Sequence, residues 1–155
     1  MSSDRATVSI VKGALFESPF EYSEKDLRTV REMIERSLDL IGGLRQAIGS
    51  AGTVVVKPNL VEVPFEGTAG SVVTDARVLE ALVGILKDYG VKRVLVAEGK
   101  SVNLKHVESG PRQAFEALGL GDVIRRSGGE ILGWDEGEFV AVDAPGGELY
   151  RTINV

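Results

Sequence analysis

The sequence predicts an α/β domain: a mostly parallel sheet with a βαβ core, helices on both faces and a C-terminal β-hairpin. Three observations carry that class. Residues 53–56, Thr-Val-Val-Val, form a continuous apolar run rich in β-branched side chains, the pattern of a strand covered on both faces in a parallel sheet. Val78, Leu79, Leu82, Val83 and Leu86 then recur at helical spacing up to Gly90. Residues 93–97 restore a strand pattern, so strand, loop, helix and strand follow one another as a βαβ unit, whose crossover should be right-handed because strand twist favours that hand.

The remaining elements follow in chain order. Residues 7–11 read as a short strand, since Val8, Ile10 and Val11 are β-branched and Gly13 breaks the run. After a loop containing Pro19, the residues Leu27, Val30, Ile34, Leu38 and Ile41 fall three or four apart, predicting a helix over about 24–41 that Gly42 and Gly43 stop. Residues 44–48 add a helical turn before Gly52. Beyond the βαβ unit, 114–118 and 122–126 predict two short helices bounded by Gly119, Gly121, Gly128 and Gly129. Residues 130–132 predict another strand, and 139–142 and 148–155 flank Ala-Pro-Gly-Gly at 144–147, a hairpin turn. No internal repeat is evident and the 19 glycines gather at element ends, so residues 1–155 read as one domain without a linker.

Composition narrows the function classes. Of 155 residues, 43% are hydrophobic and 26% charged, a globular balance that argues against disorder and fibrous repeats. No apolar run reaches the roughly 18 residues of a membrane helix, and the opening MSSDRATVSIV lacks a basic segment followed by an apolar core, so a cytoplasmic protein is expected. With no cysteine, this chain can build neither a disulfide nor a thiolate-ligated zinc or iron–sulfur centre, and no cofactor or metal is expected in it. A net charge of −5, without a basic stretch interleaved with aromatics, argues against nucleic-acid binding.

Two phosphate motifs nearly match and fail. Glu-Gly-Lys-Ser at 98–101 follows a strand, but a phosphate loop needs glycine at position 94, where Val94 stands. Gly119 and Gly121 begin a dinucleotide fingerprint, yet its third glycine would fall on Ile124 and no good strand immediately precedes them.

The stronger candidates cluster at predicted strand ends. Pro58 biases Lys57 towards an extended conformation, carrying it out of the C-terminal end of its strand, where ligands collect in open α/β sheets. There its ammonium could hold a carboxylate or phosphate, and the Asn59 amide could donate and accept; alternatively Lys57 reaches water and Asn59 closes a turn. Thr74 and Asp75 precede a helix, a capping position, and the same helix terminus with Gly70, Ser71 and Thr74 could line an anion pocket beside Lys57. Glu98 ends the next strand and would pair with Lys57 if the strands are neighbours, either tuning a proton-transfer group or neutralising two partly buried charges. His106 is the single histidine, open to an acid–base role, to ligating a metal with Glu98 or Asp75, or to a plain surface position. Trp134 reads as a partly buried anchor for the terminal hairpin.

VVVKPNLVEV, TDARVLEALVGILKDYGVKRVLVAEG, AFEALGL and DEGEFVAVDAPGG, in that order, resemble the family called domain of unknown function 362 over most of the chain. The resemblance implies an α/β module, joined in some members to a ferredoxin-like iron–sulfur domain, with remote likeness to the N-terminal part of nickel-dependent lactate racemase. The family's lysine–proline–asparagine motif falls on Lys57, Pro58 and Asn59, its threonine–aspartate on Thr74 and Asp75, and its strand-end acid on Glu98. It also implies further chain after Val155 with a lysine and histidine motif, so this sequence is expected to be the N-terminal portion of a longer module or a short member.

Three functions follow as expectations. The leading one is a module that binds a small anion through Lys57, Asn59, Ser71, Thr74, Asp75 and Glu98, as part of a redox or metabolic protein. The second is an isomerase-like proton-transfer enzyme with Lys57, Glu98 and His106 as catalytic candidates. The third is an interaction module whose terminal hairpin adds a strand to a partner or to its own copy, giving a homo-oligomer, or docks a missing C-terminal domain.

Overall fold

The computed structural model describes residues 7–13, 22–60, 73–99, 110–134, 136–148 and 150–154. Helix α1, Glu24–Asp39, starts at a capping box: the Ser23 hydroxyl accepts the Asp26 amide at 3.2 Å, and the Asp26 carboxylate accepts the Ser23 amide at 2.9 Å. It ends two residues before the predicted Ile41, and Gly42, at φ +101°, turns the chain into the short helix α2, Gly43–Ile48.

Strand β1, Thr53–Val56, pairs in parallel with β2, Arg93–Glu98, which pairs in parallel with β3, Glu130–Gly133. Between β1 and β2 runs α3, Ala76–Asp88; between β2 and β3 run α4, Pro111–Ala117, and α5, Leu120–Arg126. Helix α3 closes in a Schellman arrangement, with Val91 N–H donating to Leu86 O at 3.1 Å and Gly90 N–H to Lys87 O at 2.9 Å. Gly90 takes φ +100° there, a conformation a side chain would strain, and Val91 drops into the core.

Leu79, Val83 and Leu86 of α3, with Phe115, Leu120 and Ile124 of α4 and α5, pack with Val94 and Val96 of β2 into one core. Helix α1 lies along the other side of α3, which explains why α3 also buries Ala81 and Ile85. Strand order β1-β2-β3 advances in one direction, so two right-handed crossovers put α3 and the α4–α5 pair on the same face. Among the described residues the other face is exposed at Val55 and Leu132. For those residues this corrects the reading of β1 as a strand covered on both sides. β1 is, among the described residues, an edge strand with Val55 48% exposed, because a β-branched run reports strand propensity and does not report which faces are covered.

Residues 7–11 are a further correction, since they form no strand. Val8 and Ile10 are exposed, while Ser9 Oγ meets Ser37 Oγ of α1 at 2.6 Å; the segment lies on a helix, with no described strand beside it to complete a ladder. The C-terminal hairpin is present. β4, Ala141–Asp143, pairs antiparallel with β5, Thr152–Asn154, and Gly147 N–H donates to Ala144 O at 2.9 Å across the turn. Both strands are shorter than the sequence pattern predicts, and no helix among the described residues is long and apolar enough to cross a membrane.

Candidate functional site

Parallel pairing in the register Val56↔Val96 brings the C-terminal ends of β1 and β2 side by side. Lys57 leaves β1 immediately before Pro58, and its Nζ lies 2.6 Å from Glu98 Oε2 at the last residue of β2. The expected ion pair is therefore formed. Glu98 Oε1 accepts the Gly99 amide at 3.1 Å, and Lys57 Nζ makes a longer contact of 3.4 Å with Pro58 O. The Glu98 side chain is 14% exposed and that of Lys57 51%, so the carboxylate forms a nearly buried base that holds a half-open ammonium. With its ammonium half in water, the pair contributes about 1 kcal/mol to stability, which makes its placement more consequential than its energy.

The third strand end adds a residue that sequence reasoning assigned elsewhere. Trp134 follows β3, its N–H donates to Glu98 O at 3.3 Å, and its ring centroid lies 6.0 Å from Lys57 Nζ. Expected as an anchor for the hairpin, Trp134 is instead 44% exposed beside the Lys57–Glu98 pair. Nothing local marks this, because it depends on the register of three strands separated in sequence.

Asn59 and Thr74 form a clasp at the base of α3. Asn59 N–H donates to Thr74 Oγ1 at 2.8 Å, Thr74 N–H donates to Asn59 O at 2.9 Å, and Leu60 bridges antiparallel to Val73. The Thr74 hydroxyl is thus engaged in joining two chain segments. Asp75 caps α3, accepting Arg77 N–H at 2.8 Å, and also takes a bidentate grip from the Arg77 guanidinium, at 2.9 Å from Nε and 2.5 Å from Nη2. Arg77 is buried, and its hydrogen bond to Asp75 raises its pKa above the usual arginine value. Asp75 is hence the counter-charge of a buried guanidinium as well as a cap; the short spacing to Arg77 was its signal in the sequence.

A second polar cluster ties α3 to α5. Arg126 grips Glu80 in a bidentate pair at 3.0 and 2.6 Å and donates to the Tyr22 hydroxyl at 2.7 Å, while that hydroxyl donates to Glu80. Burial and the bond to Glu80 push the Tyr22 hydroxyl up to about 12. Burial would also raise Glu80, but its bonds from Arg126 and Tyr22 outweigh that and hold it below the usual carboxylate range.

Ser71, Gly70 and His106 lie outside the described residues. Among the described residues no group of three His, Cys, Asp or Glu side chains could hold a metal ion, and without cysteine the donor set does not fit a thiolate-ligated cluster. Val94, which fills the place a phosphate loop reserves for glycine, is a buried residue in the middle of the sheet.

Residues 54–155 match the model of a family described as Domain of unknown function (DUF362). No curated protein and no solved structure matches the chain.

Proposed function

The chain belongs to the DUF362 family, and from its strand-end geometry we propose that it binds a small anion at the C-terminal edge of the β1-β2-β3 sheet, as part of a redox or metabolic protein. The observation that carries this reading is the half-exposed Lys57 ammonium, held in place by the nearly buried Glu98 where β1 and β2 end together. An ammonium has three hydrogens; one serves Glu98, a second reaches weakly to Pro58 O, and the open flank can donate to a carboxylate or phosphate oxygen. Ligand sites in open α/β sheets collect at this edge because the loops that follow the strands can converge there.

Trp134 is the chain's single tryptophan and stands 6.0 Å from Lys57 Nζ, so anion binding has a built-in optical reporter. Titration of inorganic phosphate and of acetate should give a saturable change in its emission, and Lys57→Ala should weaken that binding by about tenfold or more, the scale of a charge-assisted hydrogen bond. Binding unchanged in Lys57→Ala removes Lys57 from the role and with it this reading.

A second reading, a protein-interaction module, rests on the hairpin. Val142 and Ile153 face each other in the β4–β5 register and both are exposed, as is Val140, while the alternate pair Asp143↔Thr152 is polar. An amphipathic two-stranded ribbon of this kind is marginal in water until its apolar side is covered. Light scattering over a wide concentration range tests self-pairing: a rising mass that Ile153→Asp abolishes supports it, and a constant monomer mass rejects it.

A further inference from the structure

The indole beside Lys57 assigns a ligand class to the anion site, an inference that rests on the anion-binding reading above. We propose that Trp134 is the specificity-determining wall of the site and that the preferred ligand is an anion carrying a flat apolar body, an aromatic carboxylate rather than a bare inorganic ion. Trp134 is fixed at its backbone by the 3.3 Å bond to Glu98 O, yet its side chain is 44% exposed at the point where Lys57 and Glu98 converge. A separation of 6.0 Å puts the Lys57 ammonium at the outer reach of a cation–π contact, so Lys57 does not use up the ring face.

One further apolar side chain is exposed near the indole: Leu132, two residues earlier in β3, while its register partner Ala97 of β2 is buried. An ammonium beside an exposed aromatic plane, with the exposed Leu132 two residues along β3, complements a molecule whose charge sits at the end of a planar body. A small hydrated anion would satisfy Lys57 and leave the indole and Leu132 in water. An aromatic carboxylate would cover both in the same pose.

Calorimetric titration of the whole chain with acetate and with benzoate separates this inference from its premise. Benzoate should bind about tenfold or more tightly than acetate, the scale of one aromatic stacking contact. Trp134→Ala should bring the benzoate-to-acetate affinity ratio down to about one, Trp134→Phe should keep most of the advantage, and Lys57→Ala should weaken both ligands. Equal binding of acetate and benzoate to the unaltered protein overturns the role of Trp134 while leaving Lys57 as an anion holder, and that ratio decides the matter even if Trp134→Ala does not fold. An advantage for benzoate that survives Trp134→Ala also overturns it. Failure of both anions to bind overturns the site as a whole.

Discussion

Lys57 Nζ and Glu98 Oε2 meet at 2.6 Å across two neighbouring parallel strands, although 41 residues separate them in the chain. Because the carboxylate is nearly buried and the ammonium half-open, the two partners respond differently to removal. Glu98→Gln keeps the shape of the acceptor and deletes its charge, so Lys57 loses its neutralising partner. Phosphate should then bind several-fold more tightly than to the unaltered protein, opposite in sign to Lys57→Ala, while urea denaturation should register a loss of about 1 kcal/mol or less. Weaker phosphate binding in Glu98→Gln would mean that Glu98 orients Lys57 more than it screens it.

Asp75 neutralises Arg77 inside the fold, where the arginine is buried. Asp75→Ala removes the α3 cap and the bidentate carboxylate partner of that guanidinium, and should destabilise the protein by about 1–3 kcal/mol in urea denaturation. Adding Arg77→Met should recover part of the loss, since the buried charge that Asp75 served goes with it. No recovery in the double variant would place the whole effect in the cap.

The Tyr22–Glu80–Arg126 cluster bounds stability on both sides of neutral pH. Glu80 is held below its ordinary value of 4.5, so the unfolded chain takes up its proton first as pH falls. The contribution is present above about 4.5 and is lost as pH drops through the lower folded value. Tyr22 runs the other way: its hydroxyl titrates near 12 in the fold against 10.0 otherwise, so its contribution is present below 10.0 and lost between 10.0 and about 12. Urea midpoints measured across pH should lose part of their acid limb in Glu80→Gln and part of their alkaline limb in Tyr22→Phe. Unchanged pH profiles would show that this cluster does not govern either limb.

The hairpin should open without the core. A Cβ on Gly147 would fall 2.1 Å from the Tyr150 carbonyl oxygen, so Gly147→Ala forces the β4–β5 turn apart. No residue of the core cluster comes from β4 or β5. Hydrogen exchange should therefore show protection lost in residues 141–154 and retained in β2, with the global unfolding midpoint little moved. A large drop in global stability would place the hairpin within the cooperative unit.

What the sequence made legible follows a physical divide. Periodic apolar spacing located α1 and α3, and the β-branched runs located β1 and β2, because those signals are local. The Lys57–Glu98 pair was legible too, since a βαβ unit places consecutive strands side by side and their ends together. Residues 7–11 have the same local pattern as a strand, but a strand also needs a neighbour, and the segment rests on α1 instead. Trp134 was read as belonging to the hairpin that follows it; its place beside Lys57 comes from the ladder β1-β2-β3 and is written in no short stretch of sequence. Arg77 was missed because a charged residue inside an amphipathic helix reads as solvent-facing until its carboxylate partner is identified.

The brevity of β1 has a consequence for behaviour at high concentration. As an edge strand it exposes unpaired peptide groups along its outer side among the described residues, the usual template for runaway chain-to-chain stacking. Here the template is four residues long and stops at a charged lysine followed by a proline whose tertiary amide has no hydrogen to donate. The two residues that begin the proposed anion-site motif, Lys57 and Pro58, are also the ones that blunt the edge, so replacing both together should make the protein prone to fibrils, which thioflavin binding would register.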